Sequence, residues 1–431
     1  MSKLEKYTSY KESGVEWLGE IPEHWEVEKL FGLCNFIRGN SSFTKDELLN
    51  NGKYVALQYG KTYKVDEIDE KYKFYVNDEF YKSSQIVNFG DTIFISTSET
   101  IEDLGHSAYY KRIDLGLLGG EQILLNSKVE IIDSKYLYFS SKVFSKELQR
   151  FATGIKVFRF NINDLKTIYI PLPPKEEQIK IASFLDEKTS QIDNAISQKE
   201  KLIELLKERR QITINEAVTG KLRIDNVELK MKNSGVEWIG EIPKHWEVIK
   251  FKHLFYEKKK THDISLNCGS ISFGKVVEKD DEKIPVSTKA SYQVLNKGEF
   301  LINPLNLNYD LKSLRIGLSD LDVVVSSGYI IIKNREIMNK TYFNWLLHRY
   351  DIVFMKTLGA GVRQTLNYRD IGETLLVNPP IEEQEKIAEY IEAQTAKIDK
   401  AIELQQNYIA KLKEYKASLI DSVVTGKVRV A

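Results

Sequence analysis

PPKEEQIKIASFLDEKTSQIDNAI (Pro173 to Ile196), continued by LIELLKERRQITINEAVTGKLR (Leu202 to Arg223), decides how this 431-residue chain is built, because the chain ends on a second copy. Pro379 to Ile402 reads PPIEEQEKIAEYIEAQTAKIDKAI, and Tyr408 to Arg429 reads YIAKLKEYKASLIDSVVTGKVR. The copies align without a gap at an offset of 379 minus 173, or 206 residues. Self-similarity on this scale makes the chain two halves in tandem.

Both copies read as long helices. Glu, Lys, Gln, Ala and Leu dominate them, and no Gly or Pro intervenes before the Thr-Gly-Lys that closes each one. Pro-Pro sits just before the first turn, and Glu176, Glu177, Glu382 and Glu383 fall where the helix dipole favours negative charge. Three-four spacing selects Leu185, Thr189, Ile192, Ile196, Lys199, Ile203, Leu206, Arg210, Thr213 and Ala217 in the first copy. In the second it selects Ile391, Thr395, Ile398, Ile402, Gln405, Ile409, Leu412, Lys416, Leu419 and Val423. Mostly apolar seams that match position for position predict a coiled coil, antiparallel if a pseudo-twofold axis relates the halves. Such a rod is about 60 Å long at about 1.5 Å per residue. Two unrelated surface helices would not share a seam. Lys199 and Gln405 occupy the same seam position near mid-helix, where a polar residue can fix register.

A second repeat lies outside the helices. SGVEWLGEIPEHWEVEKL (Ser13 to Leu30) and SGVEWIGEIPKHWEVIKF (Ser234 to Phe251) are identical at 14 of 18 positions, offset by 234 minus 13, or 221 residues. His24 and His245 with Trp17, Trp25, Trp238 and Trp246 invite an active-site reading, but aromatics around a Pro turn more simply staple a segment onto a core. The repeats bracket two variable blocks, Phe31 to Ile170 and Lys252 to Leu376. Strand-like runs at Tyr54 to Leu57, Thr92 to Ser96, Val129 to Ile132 and Val323 to Val325, with a helical patch at Tyr342 to Tyr350, predict mixed α/β blocks. Each block ends alike, and Asn161 with Asp164 and Asn367 with Asp370 predict capped short helices.

At 42% hydrophobic and 29% charged, the composition is that of a globular chain. No signal peptide or membrane-spanning apolar run is present, and Cys34 and Cys268 are too far apart to suggest a disulfide framework, so a cytoplasmic location is expected. Formal net charge is zero. Lys+Arg and Asp+Glu number 18 and 18 in the first block, 18 and 14 in the second, so any nucleic-acid contact must come from local arrangement. Catalytic motifs are missing. Asn378-Pro379-Pro380 lacks the aromatic that an amino-methyltransferase motif needs, since Ile381 follows, and the other half has Leu172 in place of Asn378. Gly60-Lys61-Thr62 lacks the upstream Gly of a phosphate loop, with Val55 in its place. A non-catalytic chain without metal or cofactor of its own is expected.

The order SGVEWLGEIPEHWE, variable block, PLPPKEEQIKIASFLDEKTSQIDNAI, Thr-Gly-Lys, all given twice, resembles the specificity subunits of type I restriction-modification systems over essentially the whole chain. The resemblance implies an α+β architecture: two mixed α/β target recognition domains separated by two long helices in an antiparallel coiled coil, with internal pseudo-twofold symmetry. It divides the chain into a conserved segment with the first recognition domain (1–172), a spacer helix (173–218), a linker (219–232), the second recognition domain (233–378), a second spacer helix (379–424) and a tail (425–431). Each domain is then expected to read one half of a bipartite target in double-stranded DNA. The helices would set half-site spacing and dock two adenine-N6 methyltransferase subunits, and an ATP-driven restriction and translocation subunit would complete the complex. S-adenosylmethionine, ATP and Mg would belong to those partners. A coiled-coil scaffold, or a silent donor of recognition domains, is the alternative. Candidate DNA contacts are Arg38, Asn40, Ser42, Lys61, Lys156 and Arg159 in the first block, and Lys312, Arg315, Arg363, Gln364 and Asn367 in the second.

Overall fold

The computed structural model describes residues 5–222, 230–307, 314–358 and 363–430. The long helices form as the sequence predicts: α2 spans Lys175–Val218 and α4 spans Ile381–Val424. Two further helices, α1 (Ser134–Leu148) and α3 (Lys340–Val353), belong one to each variable block. Both long helices end at a glycine with positive φ, Gly220 at +69° and Gly426 at +75°, where a left-handed residue closes the last turn. Lys221 N–H donates to Glu216 O at 2.9 Å to complete that closure.

The chain forms two compact units that do not coincide with its halves: residues 1–200 with 406–431, and residues 201–405. Each unit therefore holds one variable block, the first part of the helix that follows it and the last part of the other helix. In the first unit Ile181, Leu185, Ile192 and Ile196 of α2 share a core with Leu419, Ile420, Val423 and Val424 of α4. The second unit mirrors this with Ile214, Ala217 and Val218 against Ile387, Ala388 and Ile391. Within each unit the partner number on α4 falls as the number on α2 rises, from Asp193 with Lys416 to Lys199 with Tyr408 in the first and from Arg210 with Asp399 to Ile214 and Val218 with Ile387 and Ile391 in the second, so the segments pack antiparallel. The same cross-helix ion pair recurs at the repeat offset, Lys416 to Asp193 at 2.8 Å and Arg210 to Asp399 at 3.1 Å.

The seam is buried where expected at Leu185, Ile192, Ile196, Ile203, Ile391 and Ile398. Leu206, Ile402, Ile409 and Leu412 are half-buried. Thr189 and Thr395 enter it because each hydroxyl donates to the carbonyl one turn back, Leu185 at 2.7 Å and Ile391 at 2.8 Å. Lys199 holds its ammonium 4.6 Å from the Tyr408 ring, and Gln405 is half-buried in the second unit.

Inside each unit the sheet topology repeats. Strands Cys34–Arg38, Gln122–Ser127, Thr92–Ile95 and Ser107–Tyr110 lie in that order, with Glu67–Ile68 added at the edge. The second unit orders Phe255–Glu257, Ile330–Asn334, Phe300–Ile302 and Ile316–Leu318 the same way. The predicted runs at Tyr54–Leu57 and Val323–Val325 are strands, and Thr92–Ile95 covers the third. Val129 to Ile132 is not one. It turns just past the last rung of the ladder, Lys128 N–H to Leu33 O, with Ile131 and Ile132 N–H both donating to Lys128 O, and of the four residues Ile132 alone is buried.

The repeated N-terminal segment closes each unit. Glu26–Lys29 pairs antiparallel with Tyr169–Leu172, and Glu247–Lys250 with Leu375–Asn378, just before each long helix begins. Trp25 and Trp246 are fully buried beside the glycine that ends the incoming helix; a Cβ on Gly426 would stand 2.3 Å from Pro22, and one on Gly220 2.5 Å from Pro243. Only glycine permits that approach. In the first unit the end of the chain returns to its beginning, with Arg429 N–H donating to Glu5 O at 2.8 Å.

Helix α3 also carries His348, whose imidazole is pushed down to about 4 by burial. The folded chain thus keeps it neutral at a pH where the unfolded chain, with a value near 6.5, protonates it. The unfolded state gains protons as pH falls through that window, so stability falls with it. Urea unfolding at pH 7, 5.5 and 4 is expected to show a loss on the order of 2 kcal/mol that His348→Phe removes. Equal slopes for both proteins would reject a contribution from this imidazole.

Candidate nucleic-acid interface

The candidate residues of the first unit gather on one rim through backbone links. Gly39 N–H, at the end of strand Cys34–Arg38, donates to Gln122 O at 2.8 Å, and a Cβ on Gly39 would stand 1.8 Å from Gly119 O. Gly119 N–H and Gln122 Nε2 both donate to Leu57 O, at 3.0 and 2.5 Å. The turn Tyr59–Thr62, carrying Lys61, follows directly, and Tyr59 hydroxyl donates to Thr97 O at 3.3 Å. Thr97 is paired with Arg159 in a two-stranded sheet. Arg38, Asn40, Ser42, Lys156 and Arg159 are exposed on this rim. Lys61 is half-buried and holds its ammonium 4.4 Å from the Phe74 ring. Glu121 adopts φ +59°, a strained turn position for a side-chain residue, and its carbonyl accepts from both Ser96 N–H and Ser96 hydroxyl, at 3.1 and 2.9 Å.

The second unit has an equivalent two-stranded sheet, Leu305–Leu307 with Arg363–Thr365, which places Arg363 opposite Leu307 and Gln364 opposite Asn306. Asn367 caps the helix Tyr368–Gly372. Its Oδ1 accepts from Asp370 N–H at 3.1 Å while Asp370 accepts from Asn367 N–H at 3.0 Å, and Asn161 with Asp164 does the same in the first unit. Lys312 lies outside the described residues. Arg315 departs from expectation: it is 6% exposed, and its guanidinium meets the fully buried Asp351 at 2.9 Å. A cation held inside against a carboxylate is taken from the surface set.

Sequence reading missed Lys259 and Lys260. Carrying the 221-residue offset of the N-terminal repeat past Phe251 sets them opposite Arg38 and Gly39. Both are exposed at the end of strand Phe255–Glu257, and Lys260 Nζ donates to Ser327 O at 2.8 Å.

The two histidines of the repeated segment are staples. His24 meets Glu177 at 2.9 Å and His245 meets Glu383 at 2.6 Å, each glutamate lying in the first turn of a long helix. Tyr7 hydroxyl also donates to Glu177, and Trp246 Nε1 donates to Glu383 at 2.8 Å. Asn378 sits at the helix entry, where its Oδ1 accepts from Gln384 at 3.3 Å. Burial pushes the Cys34 thiol up to about 12 and the Cys268 thiol up to about 11, leaving neither a thiolate nucleophile near neutral pH. Among the described residues no His, Cys, Asp and Glu group of three could hold a metal, and no helix is long and apolar enough to cross a membrane.

Along the long helices, apolar side chains also face solvent: Leu202, Leu205 and Ile212 on α2, and Leu404, Tyr408 and Tyr415 on α4. Leu202 and Tyr408 are repeat equivalents.

Comparison with known proteins agrees with this geometry. A family model described as the type I restriction modification DNA specificity domain matches residues 22–208. The type I restriction enzyme MjaVIII specificity subunit of Methanocaldococcus jannaschii is 25% identical, over 98% of this chain and 97% of its own length. The EcoKI specificity subunit of Escherichia coli K12 is 20% identical over 95% of this chain and 90% of its own. A chain from a structure of a type I R-M system in complex assembly superposes with a TM-score of 0.67 at 15% identity, covering 94% of this chain and 98% of that one. The HsdS subunit of Thermoanaerobacter tengcongensis superposes with a TM-score of 0.52 at 16% identity, covering 95% and 98%.

Proposed function

We propose that this chain, similar over nearly its whole length to type I restriction-modification specificity subunits, is one of them and that each unit reads one half of a bipartite sequence in double-stranded DNA. In the first unit the rim of Arg38, Asn40, Ser42, Lys61, Lys156 and Arg159 faces the duplex; in the second, Lys259, Lys260, Arg363, Gln364 and Asn367 do. The long helices set the half-site spacing, and their exposed apolar positions dock two adenine-N6 methyltransferase subunits. A restriction and translocation subunit joins the full complex in the cytoplasm. S-adenosylmethionine, ATP and Mg act on those partners, and this chain is non-catalytic.

The observation that carries this reading is the contrast inside each unit. The joint between block and long helix shares its His–Glu contact and buried Trp in both, with His24 on Glu177 and His245 on Glu383, whereas the rims differ in nearly every side chain. Equivalent joints suit two copies of one partner, and divergent rims suit two different half-sites.

Co-expression with a neighbouring methyltransferase, followed by mass determination and sequencing of host DNA for N6-methyladenine, tests it. Two methyltransferase chains per specificity chain are expected, with methylation at one bipartite motif that disappears when this chain is deleted. A complex without a motif would reject the DNA-reading role. No complex would reject the docking role. Within an active complex, Arg159→Ala is expected to cost about 1–3 kcal/mol, confined to one half-site if Arg159 reads a base. If it contacts phosphate, all sequences weaken alike and the slope of affinity against salt drops by about one.

A further inference from the structure

We infer that Gln85 and Gln293 are positioning residues, one per unit, that hold the reading loops and thereby set which half-site each unit accepts. The inference rests on the DNA-reading function proposed above. The two glutamines belong to a third repeat hidden inside the variable blocks, QIVNFGD at Gln85 to Asp91 and QVLNKGE at Gln293 to Glu299, offset by 293 minus 85, or 208 residues. The structure confirms their equivalence. Strand Ile86–Val87 pairs with Gly116–Leu118, and Gln293–Leu295 pairs with Val323–Val325. Asp91 accepts from Asn88 N–H at 2.8 Å, as Glu299 accepts from Asn296 N–H at 2.9 Å.

Both glutamines are 2% exposed. A buried amide is costly unless its hydrogen bonds are met, so its partners show what it is there to hold. Gln85 Oε1 accepts from Asn40 N–H at 2.8 Å, and its Nε2 donates to Arg38 O at 3.2 Å and Ser84 O at 3.0 Å. That is a two-sided clamp on the loop of Arg38, Asn40 and Ser42. Gln293 Nε2 donates to Tyr329 O at 2.7 Å and Ser326 O at 3.3 Å, gripping the turn whose Ser327 carbonyl receives Lys260. In both units a buried amide fixes backbone next to exposed basic residues. Changing only the polarity of that amide should move the loop while leaving apolar packing intact.

The test uses the full complex with its methyltransferase. Gln85→Glu keeps the acceptor for Asn40 N–H but sets an oxygen against Arg38 O, and Gln293→Glu sets one against two carbonyls. Each variant is expected to lower discrimination against single mismatches about tenfold in one half-site and leave the other unchanged. The affected half-site should differ between the two variants. Loss of total methylation with both half-sites equally specific would overturn the inference, since that is what simple destabilisation does. A motif identical to wild type in both variants would overturn it as well. If wild type itself shows no motif, the DNA-reading function fails and the inference fails with it. Where a Glu variant lowers complex yield, Gln85→Asn or Gln293→Asn, which shortens the clamp but keeps its polarity, gives the same readout.

Discussion

Trp246→Ala is expected to destabilise the second unit by about 3–5 kcal/mol, and by more than Trp25→Ala destabilises the first. Both indoles are buried against the glycine that ends a long helix, so both variants open a cavity at the same kind of joint. Only Trp246 adds a polar anchor, its Nε1 donating to the Glu383 carboxylate at 2.8 Å. Trp25 Nε1 has no hydrogen-bond partner among the described residues, and Glu177 is held there by Tyr7 and His24 instead. A hydrogen bond to a charged group contributes about 1.5–3 kcal/mol, which sets the expected gap between the variants. Hydrogen exchange resolved by segment measures it. Equal losses in the two units would show that the indole N–H contributes nothing at this joint.

The second large effect lies at the helix entries. Gln178 Oε1 accepts from Asp133 N–H at 2.7 Å, and its Nε2 donates to Pro173 O at 2.9 Å and Ile131 O at 3.2 Å. Gln384 repeats this, accepting from Asn339 N–H at 2.9 Å and donating to Pro379 O at 2.9 Å. Asp133 and Asn339 are the N-caps of α1 and α3, so one buried amide ties the start of each long helix to the start of a helix in the block. Replacing either glutamine by Leu fills the volume but strands backbone donors and acceptors, at about 2–4 kcal/mol per site. The two sites belong to different units and share no partner, so denaturant unfolding of the double variant should show additive losses. A loss below about 0.5 kcal/mol for either single variant would mean that water replaces the amide.

Much of this architecture was legible in the sequence because it is carried by local, periodic signals. Pro-Pro entry, Thr-Gly-Lys exit and a matched three-four seam place both 44-residue helices to within two residues of their observed starts and at their observed ends. The Asn161 and Asn367 caps were legible for the same reason, since capping needs only residues three apart. Val129 to Ile132 misled because its apolar content resembles a strand while the backbone is already turning. Arg315 misled because a charge pattern cannot show that Asp351, far along the chain, takes the guanidinium inside.

The sequence by itself determined the duplication, the long helices with their capped and glycine-closed ends, and the family resemblance, since each depends on residue identity at fixed spacing. Tertiary structure alone decided that the compact units cut across the halves, joining the first stretch of each helix to the last stretch of the other. It also decided that the repeated histidines staple helix entries, and that Gln85 and Gln293 face loops rather than solvent. Those outcomes depend on which distant groups meet a buried polar atom, and that is set by packing, which no local spacing encodes.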